Sequence, residues 1–310
     1  MYIFIINPTA GYGRARRIFS KIKKSVLFST INSTYFYTSY EGQAEEIAID
    51  IIKSSYHHIN CVIVIGGDGT LHEVINGLCN RLPVSFIPGG SGNDFARGCS
   101  IKGSPMYIFR QIITEQLQIP YWCGTYQMDN DKDRLFVNSM GFGFDAEIAR
   151  HANESNYKKV LNRLGLGKIS YVIALIYVLM HFKPFSLGME REGEKCIIHD
   201  CWMVTLTNHP FYGGGMKIIP DATIQPNEFP VLIIRGISKW KVLGFFLTVF
   251  VGKHINFKEV ELFTTSTLTI HSNDTLWYQV DGQTNTCRTS QISKTSDPIL
   301  VNGKFNVQTP

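Results

Sequence analysis

Apolar residues occur first in short unbroken runs and later in alternation, and that change of rhythm divides the chain. Tyr2–Ile6 (YIFII), Cys61–Ile65 (CVIVI) and Val84–Ile87 (VSFI) are too short for helices. They are apolar nearly throughout, as strands covered on both faces of a parallel sheet are. The stretches between them predict helices near 14–27, 42–54, 70–80 and 104–115. Strand and helix therefore alternate from residue 2 to about 115, which argues for βα units. From about 117, short strands with turn signals take over, at 134–140, 184–191, 196–207, 230–236, 258–263, 267–272, 276–281 and 297–301. That cadence is expected of a β-sandwich. The boundary falls near 116–123, and the tail after Gly303 reads as frayed. A length of 310 residues exceeds what one core usually spans, so two domains are expected.

Each of the first three apolar strands ends in a glycine-bearing loop, and a helix follows. Residues 66–73 read GGDGTLHE. Gly66 and Gly67 let the backbone turn sharply and approach a ligand. Thr70 stands as an N-cap, with Glu73 completing a capping box. The free N–H groups of that helix end would face the loop, where an anion can sit. Asp68 repels an anion unless a metal or a proton transfer needs it. The plainer alternative is a strand-to-helix turn with a solvated aspartate. Residues 88–98 read PGGSGNDFARG. Gly89, Gly90 and Gly92 leave the backbone bare, and Ser91 can donate to a phosphate oxygen. Asn93 and Asp94 stand where the next helix starts, and capping alone would account for Asp94. The opening loop, Asn7 to Gly13, leads into a helix with Arg14, Arg16 and Arg17. Such loops would gather at the carboxyl edge of one sheet, where open α/β sheets bind ligands. The P-loop pattern, the full dinucleotide fingerprint and the protein-kinase H-R-D and D-F-G runs do not occur in the sequence.

NPTAG, GGDGTLHEVING and PGGSGNDFAR together resemble the diacylglycerol kinase catalytic-domain superfamily, in particular its soluble bacterial lipid kinases, relatives of sphingosine kinases and NAD kinases. The likeness extends to YFYTSYEGQA at 35–44, FVNSMGFGFDAEIA at 136–149, NHPFYGGGMKIIPDA at 208–222 and VDGQ at 280–283. It implies an α/β nucleotide-binding domain over 1–121, rejoined by 290–310, and a β-sandwich lipid-substrate domain over 122–289. The implied activity is transfer of the γ-phosphoryl group of ATP, with Mg²⁺, to a diacylglycerol-like hydroxyl in the cleft between the domains. Carried over by motif, Asn7, Thr38, Gly66, Gly67, Thr70 and Ser91 would bind nucleotide. Asp68 and Asp94 would form the acidic centre, faced by Gln283 from the second domain. Asp68 is the expected proton acceptor, and Arg97 either neutralises phosphates or is an ordinary exposed arginine.

Three departures matter. The late family motif Asp-Gly-Glu reads Asp281-Gly282-Gln283 here, and glutamine cannot take a proton or hold a metal with full charge. The segment after Pro220-Asp-Ala222 lacks the Asp-Gly of the family's structural metal site, leaving the metal ligands unassigned. Tyr121-Trp122-Cys123-Gly124 stands where the family often has an acidic residue. These changes favour nucleotide binding over efficient turnover. Two rivals stay open: an NAD kinase-like phosphotransferase and a catalytically impaired nucleotide or lipid binder.

A net charge of +5 is modest and gives no sign of a nucleic-acid groove, although it favours an anionic membrane surface. Seven cysteines without a C-x-x-C pair indicate neither a disulfide framework nor a zinc site, and the nine histidines show no metal spacing. His57 and His58 read as exposed, and His72 as equally able to face the loop or turn away. The apolar segments Ile169–Phe182 and Val242–Val251 fall short of the roughly 20 residues that span a bilayer. Each is expected to pack on the sandwich, or else to rim an acyl-chain pocket and touch the membrane. With no leader at Tyr2–Ile6, the expectation is a cytoplasmic protein that visits the membrane surface transiently. A homodimer is compatible with all of this.

Overall fold

The computed structural model describes residues 1–54, 58–115, 118–154 and 167–303. His57, residues 116–117 of the boundary and the tail beyond Gly303 lie outside the described residues. Four parallel strands, β1 (Tyr2–Ile6), β2 (Ser33–Tyr37), β3 (Cys61–Gly66) and β4 (Val84–Pro88), are joined by β5 (Gln118–Tyr121) and, from the far end of the chain, β17 (Ile299–Asn302). Their order is β2-β1-β3-β4-β17-β5 among the described residues. β17 pairs in parallel with β4 through Val301 and Val84, and antiparallel with β5.

β1 and β3 are buried at every position because helices cover both faces of this sheet. Ile3, Ile5, Val62 and Val64 pack against α3 (Gln43–Lys53) and α4 (Asp68–Leu78). Tyr2, Phe4, Ile63 and Ile65, one residue out of phase, pack against α1 (Ala10–Lys23) and α6 (Pro105–Thr114). The helix expected over 14–27 is interrupted. Ser25 accepts a bond from Phe28 N and caps a separate turn, α2 (Val26–Ser29). At the other end of α1, Gly11, Tyr12 and Gly13 are all left-handed, so regular helix begins at Arg14.

The second half forms one continuous nine-stranded sheet among the described residues. Its strands are β6 (Gly124–Met128), β7 (Arg134–Phe136), β8 (Ser139–Gly143), β9 (Phe185–Arg191), β10 (Glu194–Thr207), β13 (Phe229–Arg235), β14 (Val260–Thr265), β15 (Thr267–Val280) and β16 (Gln283–Lys294). A separate hairpin, β11 (Phe211–Tyr212) with β12 (Met216–Lys217), leaves the end of β10. β8 and β9 both lie between β10 and β15, one beyond the other, because those two strands are long enough to pair with each in turn. The segments expected at 267–272 and 276–281 are one strand, with an irregularity between His271 and Leu276. β16 carries residues through Lys294 in this sheet, and the chain re-enters the first sheet at Ile299.

One core lies inside this folded sheet, among residues such as Phe136, Phe142, Val204, Val231 and Leu268. Its outer face is covered by α7 (Phe144–Glu154), α8 (Gly167–His181) and α9 (Lys239–Val249), which meet Trp202, Leu232 and Ile234. The two long apolar segments are thus helices packed on the sheet, and no helix among the described residues is long and apolar enough to cross a membrane.

Candidate active site

The loops after β1, β3 and β4 interlock at one edge of the first sheet. The N–H groups of Gly89 and Gly90 both donate to Gly66 O, at 2.7 and 2.9 Å. A Cβ on Gly90 would stand 2.5 Å from Gly67 Cα, and one on Gly11 only 2.2 Å from Gly89 O. The strands bring these backbones so close that side chains do not fit between them. Asn7 completes the edge. Its Oδ1 accepts from Thr9 N, Thr9 Oγ1 and Ala10 N, while its Nδ2 donates to Thr70 Oγ1 at 3.1 Å. Thr38, buried at the end of β2, donates its N–H to Ile6 O at 2.9 Å. Ser91 is exposed at the tip of the third loop.

The expected capping box at Thr70 and Glu73 does not form. α4 begins two residues earlier, at Asp68, with Gly67 at its N-cap and no side chain capping it. Glu73 instead accepts from Ala44 N at 3.1 Å, holding α3 against α4. Leu71 N is the first to bond within the helix, to Gly67 O. The N–H groups of Asp68, Gly69 and Thr70 stand in the first turn, where the helix itself supplies no acceptor, and none donates to the side chain of another described residue.

Nor do Asn93 and Asp94 cap the helix that follows them, α5 (Asp94–Gly98). Asp68 does so from another loop, Oδ2 accepting from Asp94 N at 3.0 Å and Oδ1 from Phe95 N at 3.1 Å. Asn93, left-handed at φ 55°, clasps Gly90 with both ends of its amide. Asp94 is buried and reaches across the domains: Oδ1 accepts from Arg97 Nη1 at 2.7 Å, and Oδ2 from Gly214 N, in the β11–β12 loop, at 2.7 Å. Arg97 also donates to Gly92 O, so it braces the loop with the nitrogen that meets Asp94.

The acidic pair interacts electrically. Burial, above all, and then the charge of Asp94 push the Asp68 carboxyl up to about 6, despite the two N–H groups favouring its ionised form. Burial raises Asp94 too, against the pull of Gly214 N–H and Arg97. Gln283 opens β16 opposite Val280, past the turn Asp281-Gly282, whose residues have φ of 50° and 91°. It is half-buried, and its side chain makes no hydrogen bond to another described residue. The charge of Asp281 adds to the rise at Asp68, so that turn lies within electrical reach of the acidic pair.

The sequence did not foretell the anchoring of that turn. Asp281 accepts four N–H bonds, from His72 Nδ1 at 2.8 Å, Val137 N at 2.7 Å, Asn138 N at 2.7 Å and Ser139 N at 3.1 Å. His72 therefore faces the second domain. Near it, Asn138 Oδ1 meets His209 Nε2 at 2.9 Å, and burial pulls His209 down to about 4, so the ring is neutral. Behind Gly214, Tyr212 donates to Asp145 Oδ2 at 3.0 Å. Burial pushes Asp145 up to about 7, against the hydrogen bonds of Tyr212, Ala146 N–H and Gln279 that favour its ionised form. Only the strand-glycine-helix pattern around Asp145 could have marked it.

Among the described residues, no group of three or more His, Cys, Asp or Glu could hold a metal. Glu228, in the altered segment after Ala222, accepts from Gln225 instead.

The sequence matches the family described as "Diacylglycerol kinase catalytic domain" over residues 1–119, and "YegS C-terminal NAD kinase beta sandwich-like domain" over 138–295. A Bacillus subtilis protein described as "Putative lipid kinase YtlR" is 32% identical over 304 residues, covering 97% of this chain and 98% of its own. A diacylglycerol kinase of Mycobacterium tuberculosis is 27% identical over 213 residues, 68% of this chain and 66% of its own. In fold, the chain is similar to a crystal structure titled as a putative diacylglycerol kinase from Bacillus anthracis. The TM-score is 0.74 at 19% identity, over 98% of this chain and 95% of the other. It is also similar to an NAD kinase from Archaeoglobus fulgidus in complex with ATP, with a TM-score of 0.53 at 11% identity over 97% and 93%. The chain belongs to the diacylglycerol kinase catalytic-domain family, in the two-domain architecture that a YegS-type C-terminal domain completes.

Proposed function

We propose that this protein transfers the γ-phosphoryl group of ATP to the hydroxyl of a diacylglycerol-like lipid, between the glycine loops of the first domain and the Asp281-Gly282 turn of the second. One observation carries the reading. A half-buried aspartate, Asp68, and a buried one, Asp94, stand among bare peptide backbone, and Asp94 is bonded to the glycine-rich loop of the facing domain. Phosphoryl transfer is mostly positioning and charge stabilisation, which such a site can supply. The first-turn N–H groups of Asp68, Gly69 and Thr70 would receive phosphate oxygens, with Gly66 and Gly67 allowing close approach and Asn7 and Thr38 fixing the edge. Ser91 would donate from the loop tip.

Asp68 would accept the proton of the attacking hydroxyl. A carboxyl near 6 is ionised at neutral pH yet basic enough to take a proton late in the reaction. Asp94 would orient Asp68 and the Gly214 loop. The donor set also fits Mg²⁺ of the kind that keeps waters and rides on phosphates. Every oxygen of Asp68 and Asp94 already accepts an N–H bond, and each carboxylate keeps lone-pair capacity for an ion. Asp94 would hold that ion, which supplies charge neutralisation on the transferred phosphoryl group, and Asp68 would stay free to take the proton.

Gln283 would hydrogen-bond the acceptor hydroxyl without removing its proton. That residue favours a second reading, a nucleotide and lipid binder with impaired turnover. Measuring ATP consumption with diacylglycerols, with NAD and with no acceptor separates the cases. Lipid-dependent turnover that Asp68→Asn abolishes supports the kinase, and turnover only with NAD supports the soluble-acceptor alternative. Turnover appearing only in Gln283→Glu supports the binder. Acceptor-free ATP consumption that survives Asp68→Asn would end the assignment of Asp68.

A further inference from the structure

α8 and α9 each bury one stripe against the sheet: Leu175, Val178 and Leu179 on α8, and Val242, Phe245 and Val249 on α9. On a surface helix the opposite stripe is normally polar. Here it is Ile176, Tyr177 and Met180 on α8, and Trp240, Leu243 and Leu247 on α9, running on into Phe250 and Val251. Met180 is 67% exposed, Leu247 80% and Trp240 84%. The stripes adjoin, because Lys239 Nζ, next to Trp240, donates to Met180 O at 2.7 Å. Large side chains gathered in this way form a patch of the kind that marks an interaction surface, unlike apolar residues scattered singly.

Positive charge borders the patch. Lys183 follows α8, Lys239 and Lys241 open α9, and Lys253 lies just beyond it. Beside the start of α9, an open cavity of about 580 Å³ is lined by Arg235, Lys241 and Lys258, with Asp200 and Glu259 opposing them. Glu259 pairs with Lys241 and Glu261 with Arg235. Lys183, Lys239, Lys253 and Lys258 form no ion pair among the described residues. An apolar stripe with an exposed tryptophan, rimmed by lysines, matches the layering of a membrane interface, where acyl chains lie beneath anionic headgroups.

The patch is also coupled to the cleft. Tyr177 stacks on His151 of α7 at 4.2 Å, and Asn153 of α7 donates to Gly282 O at 3.1 Å, beside Gln283. We infer that the α8–α9 face docks on an anionic phospholipid bilayer and presents the Asp281-Gly282 turn to a hydroxyl at its surface. The identity of the occupant rests on the lipid-phosphorylation reading above; docking itself is measured without turnover.

The test uses the full chain and vesicles of phosphatidylcholine alone or mixed with phosphatidylglycerol. The chain should sediment with the mixed vesicles at least tenfold more tightly than with phosphatidylcholine, and added salt should weaken that binding. Tryptophan emission should shift to the blue on binding, and a Trp240→Phe variant should lose most of the shift. A Met180→Ser, Leu247→Ser double variant changes only exposed side chains. It should keep the native melting temperature and lose at least tenfold in vesicle affinity. Equal vesicle binding by native and double variant would overturn the inference, as would failure of the native chain to bind either vesicle. A native dimer that the double variant splits, with vesicle binding unaltered, would assign the face to a second copy and overturn it too. Docking without phosphorylation of any lipid would leave this face standing and refute the kinase reading alone.

Discussion

His72 Nδ1 lies 2.8 Å from Asp281 Oδ2, with neither side chain exposed. Asn76 Nδ2 braces the same turn of α4, donating to His72 O at 2.9 Å and to Leu135 O at 3.0 Å. The GGDGT helix and the Asp-Gly-Gln turn are thereby fastened to each other. A histidine that sequence alone leaves undirected, and an aspartate that reads as part of an acidic motif, together fix how the glycine loops face the second domain.

Replacing Asp281 should be costly. Its carboxylate receives the N–H groups of Val137, Asn138 and Ser139 as well as His72. An Asp281→Asn side chain offers one acceptor oxygen and turns an NH₂ toward donors. Each buried donor left unsatisfied costs about 1–3 kcal/mol, so a loss of roughly 3–5 kcal/mol is expected in urea unfolding. His72→Ala should lose less, about 1–3 kcal/mol, because the three backbone donors keep their acceptor. The assignment fails if Asp281→Asn unfolds with the native midpoint, or if the order of the two variants is reversed.

Gly90→Ala tests the interlocked loops. The added methyl would meet Gly67 Cα at 2.5 Å and Asn93 Oδ1 at 3.2 Å, so the second and third loops must part. Nucleotide affinity, read by calorimetric titration with ATP, should fall at least tenfold, which corresponds to about 1.4 kcal/mol. Gly244→Ala, on α9 of the second domain, is the control, since nothing lies within 4 Å of its Cβ position. A Gly90→Ala protein that binds ATP as well as Gly244→Ala does would remove the loop edge as the phosphate site.

The activity should carry an acid limb set by Asp68. Only the ionised carboxylate can take a proton, and its pKa is raised to about 6. Turnover at saturating ATP should therefore be flat above pH 7 and fall about tenfold per unit below pH 6. The charge of Asp94 contributes to that rise, so Asp94→Asn should move the limb toward lower pH even as it lowers the plateau. A limb that stays at its native position in Asp94→Asn would show that another group sets it.

The first sheet was legible because its strands are apolar at almost every position and its loops carry glycines where backbones touch. β1, β3 and β4 fall within one residue of the runs that the pattern marks. β16 was not legible. QTNTCRTSQISK is polar, and the three residues that it buries, Cys287, Ser290 and Ile292, do not keep one alternating phase. The helix starts were misread for a related reason. Thr70 and Asn93 have the composition of caps, but a capping side chain is chosen by who reaches the helix end in space. At α5 that is Asp68, from a loop 26 residues earlier. The pairing of Asp68 with Asp94 was legible by motif, whereas the partners of Asp281 and Asp145, and Gly214 at Asp94, come from sequence positions far away and leave no local trace.

Asp145 gives a test of burial that needs no substrate. Its carboxyl is raised from 3.8 to about 7 by desolvation, which outweighs the hydrogen bonds that favour its ionised form. The unfolded chain releases this proton near pH 4, while the folded chain holds it to about pH 7. Folding is therefore unpenalised by Asp145 below pH 4, and the penalty grows through the interval and is complete above pH 7. At 1.36 kcal/mol per pKa unit, it reaches about 4 kcal/mol at most. Asp145→Asn keeps an oxygen for Tyr212 and cannot ionise, so it should be more stable than the native protein by about 2–4 kcal/mol at pH 8, and the gain should vanish near pH 4. Urea unfolding of both proteins at several pH values reads the difference directly. A difference that does not change with pH would mean that Asp145 titrates alike in the folded and unfolded chain, and that the buried pocket behind Gly214 is open to water.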